Sequence, residues 1–394
     1  MSADGGRDTD ILIVGAGLPG LALALALRGS GLTVALADRR HPCVEEDPDW
    51  DARIFAISPG NAALLHRIGA WPRMDQDRLG PIESMRIFAD RGARLDFSAF
   101  DQGVRALAWI VEQRELMAGT LAAWADADTP ETIHADSPPE ALIRERDRAV
   151  VRLADGSALT ARLVVGADGL RSWTRDQAGI AGVPRPYGHT AIVANFATER
   201  PHHGRAWQWF KPDGSILAFL PLAGRRMSIV WSLPEARSKA LMEAGEAAFL
   251  DELAEAGEGM LGRLDFITPR AAFPLNFMRL SSPVADRVAL IGDAAHGIHP
   301  LAGQGLNLGY GDVEGLAAAL RCGGAVGDPG SLLVLGRYAR ARAWPTLSMQ
   351  TVCDGLWRLF NVHHPVPSLL RNAGMAALNR LPPVKSILMQ PAMG

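Results

Sequence analysis

A chain of 394 residues exceeds what one compact core usually holds, which predicts two domains or one large interleaved unit. Hydrophobic content of 48% against 21% charged residues is that of a globular protein and excludes disorder over most of the length. A net charge of -3 gives no electrostatic case for nucleic acid, and the three cysteines, Cys43, Cys322 and Cys353, have neither Cys-x-x-Cys nor metal-ligand spacing, so they read as free thiols in a reducing compartment with no metal site.

The first ten residues carry three Asp and one Arg, unlike the basic start of a signal peptide. Ile11 to Leu27 is uncharged, but it is short for a membrane span, and Gly15, Gly17, Pro19 and Gly20 punctuate its first half. A strand, a turn and a helix explain it better. Asp10–Val14 reads as the strand, Gly15-Ala-Gly17-Leu-Pro-Gly20 as the turn, Leu21 to Leu27 as the helix, and Leu32 to Ala37 as a second strand closed by Asp38. A βαβ unit of about 30 residues with an acid about 20 residues beyond its glycines is the full dinucleotide fingerprint. Its first glycine permits the tight turn, its second lets backbone meet a pyrophosphate, and its third lets helix and strand pack closely. Asp38 suits the adenosine ribose hydroxyls and disfavours a 2'-phosphate.

Asp51 to Ser58 leads to an amphipathic helix through Leu64, Leu65 and Ile68, stopped near Trp71-Pro72. Arg53 suits a phosphate and a surface carboxylate equally. Ser84 to Phe100 reads as a strand pair turning at Asp90-Arg-Gly92, and Val111 opens a helix running to about Trp124. A hairpin about Asp155-Gly156 delivers Leu163-Val-Val165 to Gly166-Ala-Asp168-Gly169, for which a plain turn is an equally good reading. From about Ile180 the texture is sheet-rich, with strands at Ala191–Ala197, Ala206–Phe210, Ser215–Pro221 and Arg226–Leu233. Trp207 and Trp209 share one face of their strand, with Gln208 and Phe210 on the other, and the aromatic stripe reads as core. Pro234 to Gly262 is helical and acidic, and Phe273-Pro-Leu275 returns the chain. Val288 to Ile291 is a strand ending in Gly292-Asp293, which puts a carboxylate at a strand tip. Gly303-Gln-Gly305 then lets backbone approach a flat ligand before a helix from Leu308 to Leu320. Beyond Trp344-Pro345 the chain is apolar and basic, with Arg358, Arg371, Arg380 and Lys385 but no acid after Asp354. Two readings stand: a basic amphipathic element meeting an anionic membrane or a partner, and helices packed on the first domain with a solvated basic face.

Three motifs, GAGLPG with Asp38, GADGLRSWTR, and GDAAH followed by HPLAGQGLNLG, together resemble the single-component flavin aromatic hydroxylases of the para-hydroxybenzoate hydroxylase type. DARIFAISPGNAALLHRIGAW, WFKPDGSILAFLPLAGRRMSIVW and the ending LPPVKSILMQPAMG resemble more specifically the FAD-dependent hydroxylases of ubiquinone biosynthesis. The resemblance implies an α/β fold in which a Rossmann-like FAD-binding domain (1–80, 100–178 and 272–345) interleaves with a β-sheet substrate domain (81–99 and 179–271), followed by C-terminal helices (346–394). It implies that Gly15, Gly17 and Gly20 meet the FAD pyrophosphate, Asp38 the adenosine ribose, and Gln113 the ribityl or phosphate region. Asp168 and Gly169, helped by Arg53 and Arg175, support the pyrophosphate and the pyridine nucleotide. Asp293 bonds the ribityl chain, the backbone from Gly303 through Gly305 and Leu306 to Asn307 faces the flavin pyrimidine ring, and Pro300 lies where oxygen reacts. Many relatives have Glu in place of Asp38.

The activity so implied is hydroxylation of a polyprenylated phenol by a flavin C4a-hydroperoxide, with NAD(P)H or another donor as co-substrate. His296 and His299 are acid–base candidates that read more readily as braces of the flavin loop. The implied setting is cytoplasmic, peripheral to the inner face of the membrane, with other ubiquinone-biosynthesis proteins or a second copy of the chain as partners. A flavin-dependent prenyl reductase and a non-catalytic flavoprotein scaffold are the competing readings.

Overall fold

The apolar runs that end in Gly or Asp lie side by side in one sheet. In the computed structural model, which describes residues 7–44, 49–126, 132–323, 327–362, 364–381 and 385, the strand Arg7–Val14 pairs in parallel with both Val34–Ala37 and Ala158–Gly166, and the last pairs in parallel with Val288–Leu290. Most of the LPPVKSILMQPAMG ending lies outside the described residues. Strands covered on both faces need unbroken apolar sequence, and Ile11 to Val14 are all buried. Helix Leu18–Leu27 is buried on every side, which accounts for its uniform hydropathy. No helix among the described residues is long and apolar enough to cross a membrane.

A second, larger sheet holds, in order, His296–Gly297, Ala271–Arg279, Arg185–Thr198, Arg226–Pro234, Ile216–Leu222, Arg205–Phe210, Ser84–Phe88 and Arg94–Ser98. Helices Glu235–Glu243 and Glu246–Ala256 back one face, where Trp207 and Trp209 pack with Phe219, Trp231 and Phe249, so the aromatic stripe is core. The other face looks toward the first sheet. A three-stranded sheet, Ile54–Ile57, Ala108–Glu112 and Gly80–Ile82, packs between them through Ala56, Ile82, Ile110 and Leu222.

Three sequence expectations change. Val111 lies within a strand rather than opening a helix, because Ala108–Glu112 pairs with Ile54–Ile57 and tertiary pairing overrides local propensity; the helix spans Gln113–Ala125. The boundary expected at 345/346 falls inside helix Leu332–Asn361, which runs through Pro345. The last helix, Pro365–Asn379, packs on strand Arg94–Ser98 of the second sheet rather than on the first domain, and its Arg371 is buried against Asp90 with Ser368 and Asn372. Lys385 donates to the Asp96 carbonyl, so the expected basic face reduces to Arg358, itself paired with Asp354, and Arg380.

Candidate active site

Parallel strands deliver their C-terminal ends to one edge, the place where open α/β sheets hold ligands. Val14 is level with Ala37 and Gly166, and Gly166 with Leu290, so the turns bearing Gly15, Asp38, Asp168 and Asp293 are neighbours. The three glycines of the first turn differ in what a Cβ would meet. At Gly15 (φ +108°) it would lie 2.4 Å from the Ala167 carbonyl oxygen, and at Gly20 it would lie 2.0 Å from the Gly15 carbonyl oxygen. At Gly17 it would meet nothing within 4 Å. Two glycines are thus demanded by the protein itself and the middle one by whatever approaches it. Gly17 also caps helix Leu18–Leu27 with no side chain, leaving first-turn N–H groups directed at that space.

The Ala16 N–H donates to Asp38 Oδ2 (2.6 Å) and the Arg40 N–H to Oδ1 (3.2 Å), so the carboxylate also shapes the glycine turn. Asp168 faces inward: Oδ1 accepts from the Ser172 hydroxyl (2.5 Å), and Oδ2 from the Thr174 N–H (2.9 Å) and hydroxyl (3.0 Å). Gly169, at φ +81°, leaves open space beside it. Arg175 is only 3% exposed and donates to the carbonyls of Leu170 and Ala294, tying two loops together; no phosphate or transient nucleotide can reach it, which corrects its expected role.

Asp293 opens onto the cleft and makes no hydrogen bond to the described residues. Protein crowds it on the remaining sides, and this desolvation holds its carboxyl above the usual range against the pull of the His296 and Arg53 charges. The Arg53 guanidinium lines the same cleft, stacked near Phe55 (5.5 Å) and Phe273 (5.4 Å), and forms no ion pair among the described residues. Gln113 begins its helix beside it, its N–H donating to the Arg53 carbonyl (2.9 Å).

Helix Gln304–Gly323 begins four residues before its predicted start, inside the Gly-Gln-Gly motif. At Gly303 (φ +65°) a Cβ would lie 2.9 Å from the Ala56 Cβ, whereas Gly305 faces open space. The Asn307 side chain is spent on the fold: Nδ2 donates to the Ala56 carbonyl (2.8 Å), and Oδ1 accepts from the Ser58 N–H (3.1 Å) and Asn61 Nδ2 (2.8 Å). The helix N-terminus is thereby fixed at the cleft with no acid in its first turn, so it can stabilise negative charge.

His299 is 1% exposed and does not line the cleft. Its Nε2 lies 3.2 Å from Ser232 Oγ, which is 3.2 Å from His189 Nδ1, and burial pushes His299 down to about 3. It is neutral at ordinary pH and braces the loop, while Pro300, the next residue, does face the cleft. His296 turns the other way. Its Nε2 donates to Asp312 Oδ2 (2.6 Å), Arg342 Nε donates to Oδ1 (2.8 Å), and the Gly292 N–H also donates to Oδ2 (3.0 Å). Burial lowers His296, but the charge and hydrogen bond of Asp312 outweigh it and hold the imidazole above its ordinary value; burial raises Asp312, and His296 and Arg342 together hold it below its own. This network borders a separate cavity of about 260 Å³ behind the loop. This network was not among the sequence expectations; its one signal is an Asp set between Tyr310 and Val313 on a helix whose neighbouring Glu314 gives no sign which carboxylate is buried.

Between sheet and loop lies a cleft of about 360 Å³. Its walls are mostly apolar, with Ile82, Met85, Leu107, Ala218, Leu220 and Val230 on one side and Ile298, Pro300, Gly305 and Leu306 on the other. The open Gly17 and Gly305 positions, the free helix N-termini and the unpartnered Asp293 fit an extended, flat, phosphate-bearing group along the strand tips and into this cleft.

The FAD binding domain family matches residues 8–344. The chain is 36% identical over 395 residues to the ubiquinone hydroxylase UbiL of Rhodospirillum rubrum, covering 100% of this chain and 91% of that protein. It is 34% identical to the 3-demethoxyubiquinol 3-hydroxylase of Escherichia coli, covering 98% and 99%. Among solved structures it is similar to pqsL, a probable FAD-dependent monooxygenase from Pseudomonas aeruginosa, with a TM-score of 0.74, 25% identity, and coverage of 94% of this chain and 99% of that one.

Proposed function

This chain belongs to the FAD-dependent hydroxylases of ubiquinone biosynthesis, and from that premise we propose that it hydroxylates the ring of a polyprenylated phenol in the cleft between its second sheet and the loop, with NAD(P)H as the electron donor. The observation that carries the reading is the meeting of an apolar wall with a charge-stabilising helix end across a single cleft. Bound FAD would take up the electrons of NAD(P)H and use them to activate oxygen. The chain's own residues do the rest. Gly17 and the N–H groups of the first helix hold the pyrophosphate, Asp38 takes the ribose, and Asp293 takes the ribityl hydroxyls. Gln113 and Arg53 complete the phosphate side, with Gly169 open to the nicotinamide nucleotide. The N-terminus of Gln304–Gly323 stabilises negative charge on the pyrimidine, and the apolar walls exclude water from the reacting ring. Pro300 shapes the oxygen-facing side, while Asp168 and His299 act by holding loops in place. The relatives do not favour a prenyl reductase or a non-catalytic scaffold.

An insoluble substrate requires delivery from a lipid surface. Val366, Leu369 and Leu370, on one face of Pro365–Asn379 by their spacing and between 56% and 68% exposed, are proposed to make that contact, with Arg380 at the far end of the same helix. Replacing Leu369 and Leu370 by Asn should abolish flotation with anionic liposomes and leave FAD content unchanged; a dimer that dissociates instead would assign the face to a second copy.

The test of activity is NAD(P)H-driven oxygen uptake by the FAD-loaded protein with a short-prenyl phenol, and mass spectrometry of the product. Incorporation of one oxygen atom from O2 into the ring is expected. A reduced prenyl chain, or a flavin that NAD(P)H and other donors leave oxidised with substrate present, would overturn the proposal. Complementing bacteria that lack single quinone hydroxylation steps, and identifying the accumulated lipid, would then assign the ring position.

A further inference from the structure

The cleft wall opposite the loop is one face of the second sheet. Gln208 sits in it directly between Ala218 on one neighbouring strand and Ile87 on the other, and Ala218 is followed across the sheet by Val230 and Val193. That row is apolar except for Gln208. Gln208 is 5% exposed, lines the cleft, and makes no hydrogen bond to the described residues, yet its amide is not sealed within the protein, so its polar atoms reach the cleft. The other polar side chains of the cleft have different duties. Asn276 donates to the Pro274 carbonyl, Gln304 lies near Asn307, Arg53 stacks on two phenylalanines, and Asp293 belongs to the strand tips. A nearly buried amide without a partner is unfavourable to the folded protein alone and becomes favourable when a ligand supplies the partner.

Resting on the reading of this cleft as the hydroxylation site, we propose that Gln208 recognises the substrate ring through an uncharged oxygen substituent. An amide donates and accepts without carrying charge, which matches a ring hydroxyl or quinone carbonyl. Set among alanine, valine and isoleucine, it leaves the remaining contacts of the ring apolar, so one hydrogen bond fixes the rotation of the ring against the loop. Which ring carbon faces the reactive side then follows from where that oxygen lies.

The experiment compares wild type with Gln208→Met, which keeps the length of the side chain and removes its hydrogen bonds, and Gln208→Leu as a second variant. Each is prepared as the full, FAD-loaded chain, with folding checked by circular dichroism and FAD content. A diprenyl phenol and the matching diprenyl benzene without ring oxygen are titrated while the visible spectrum of bound flavin is followed, and the ratio of ring product to NAD(P)H consumed is measured. Both variants should bind the phenol about tenfold more weakly than wild type and release more hydrogen peroxide per NAD(P)H, while the benzene analogue binds all three proteins alike. Equal phenol affinity and equal product ratio in wild type and variants would overturn the role of Gln208 alone. A wild type that binds no phenol would overturn both this role and the proposed function.

Discussion

Asp312→Asn is the sharpest test of how the loop is held. The carboxylate is 1% exposed and accepts three hydrogen bonds, from the Gly292 N–H, His296 and Arg342, two of them from cationic partners. Removing one member of a buried ion network leaves the others uncompensated, at about 3 to 5 kcal/mol. His296 can shed its proton in the variant, which favours the lower end. With unfolding entropy of roughly 2.1 cal/mol/K per residue over the whole chain, about 3 kcal/mol lowers Tm by about 4 °C. The loss depends on pH. His296 is raised above its ordinary 6.5 in the folded state, so its contribution is full below 6.5 and is lost as pH rises through the folded value. Asp312 is lowered from 3.8, so its contribution is present above 3.8 and is lost as pH falls through its folded value. Urea unfolding of wild type and variant at about pH 5.5 and about pH 8.5 should therefore show the larger difference at the lower pH. Because the Gly292 N–H loses its charged acceptor, the variant should also retain less FAD through dialysis. A stability difference below about 1 kcal/mol, or one that is flat in pH, would refute the coupling of this network to the fold.

Gly17→Ala should fold normally but fail to retain FAD, whereas Gly20→Ala should lose folded protein, since only the second Cβ collides with backbone; expression yield and FAD content separate the two. Asp293→Asn should weaken FAD binding by about tenfold, read by flavin fluorescence on dilution, with the stability of the FAD-free protein unchanged, since the carboxyl makes no hydrogen bond to the described residues. Trp209→Ala should cost about 3 to 5 kcal/mol in unfolding without altering FAD affinity, as the side chain packs on Phe88 and Phe219 away from the cleft. In the native protein a thiol reagent should modify Cys43 and Cys322 but spare Cys353, which is buried with its thiol pushed up to about 12.

The strand tips were legible in the sequence because a parallel strand brings its own ending to the sheet edge, and the Gly and Asp that close each strand announce the turn. What each carboxylate faces was not legible. Asp168 and Asp293 end similar strands in similar words, yet one turns inward to Ser172 and Thr174 and the other outward to the cleft. That choice depends on which helix begins next, a matter of three-dimensional packing. Alternation likewise put Gln208 opposite the tryptophans, and the aromatic stripe that reads as core is the face covered by helices Glu235–Glu243 and Glu246–Ala256; what the opposite face meets was not legible. The Asp90 to Arg371 pair joins elements 281 positions apart, and no local pattern distinguishes a basic residue bound for such a partner from one bound for solvent.

The segment from Val288 to Gly323 explains why one stretch dominates the chain. Val288–Leu290 belongs to the first sheet, His296–Gly297 pairs with Met278 and Arg279 of the second, and Gln304–Gly323 returns to pack on helix Leu18–Leu27. One continuous piece of backbone thus carries the floor of the cleft while being hydrogen-bonded to the sheet that forms its wall. The bond from the Gly292 N–H to the Asp312 carboxylate closes the segment on itself, and Gln350 clamps the crossing from the C-terminal side by donating to the carbonyls of Met278 and Gly297. A shift of one sheet against the other must therefore be absorbed in two short crossings, 291–295 and 298–303, the second of which holds Pro300 and leads to the helix end. The distance from Gln208 on the wall to the helix end at Gln304 is in consequence a property of that short crossing, and changes there should alter coupling of oxygen use to product before they alter the affinity of either ligand.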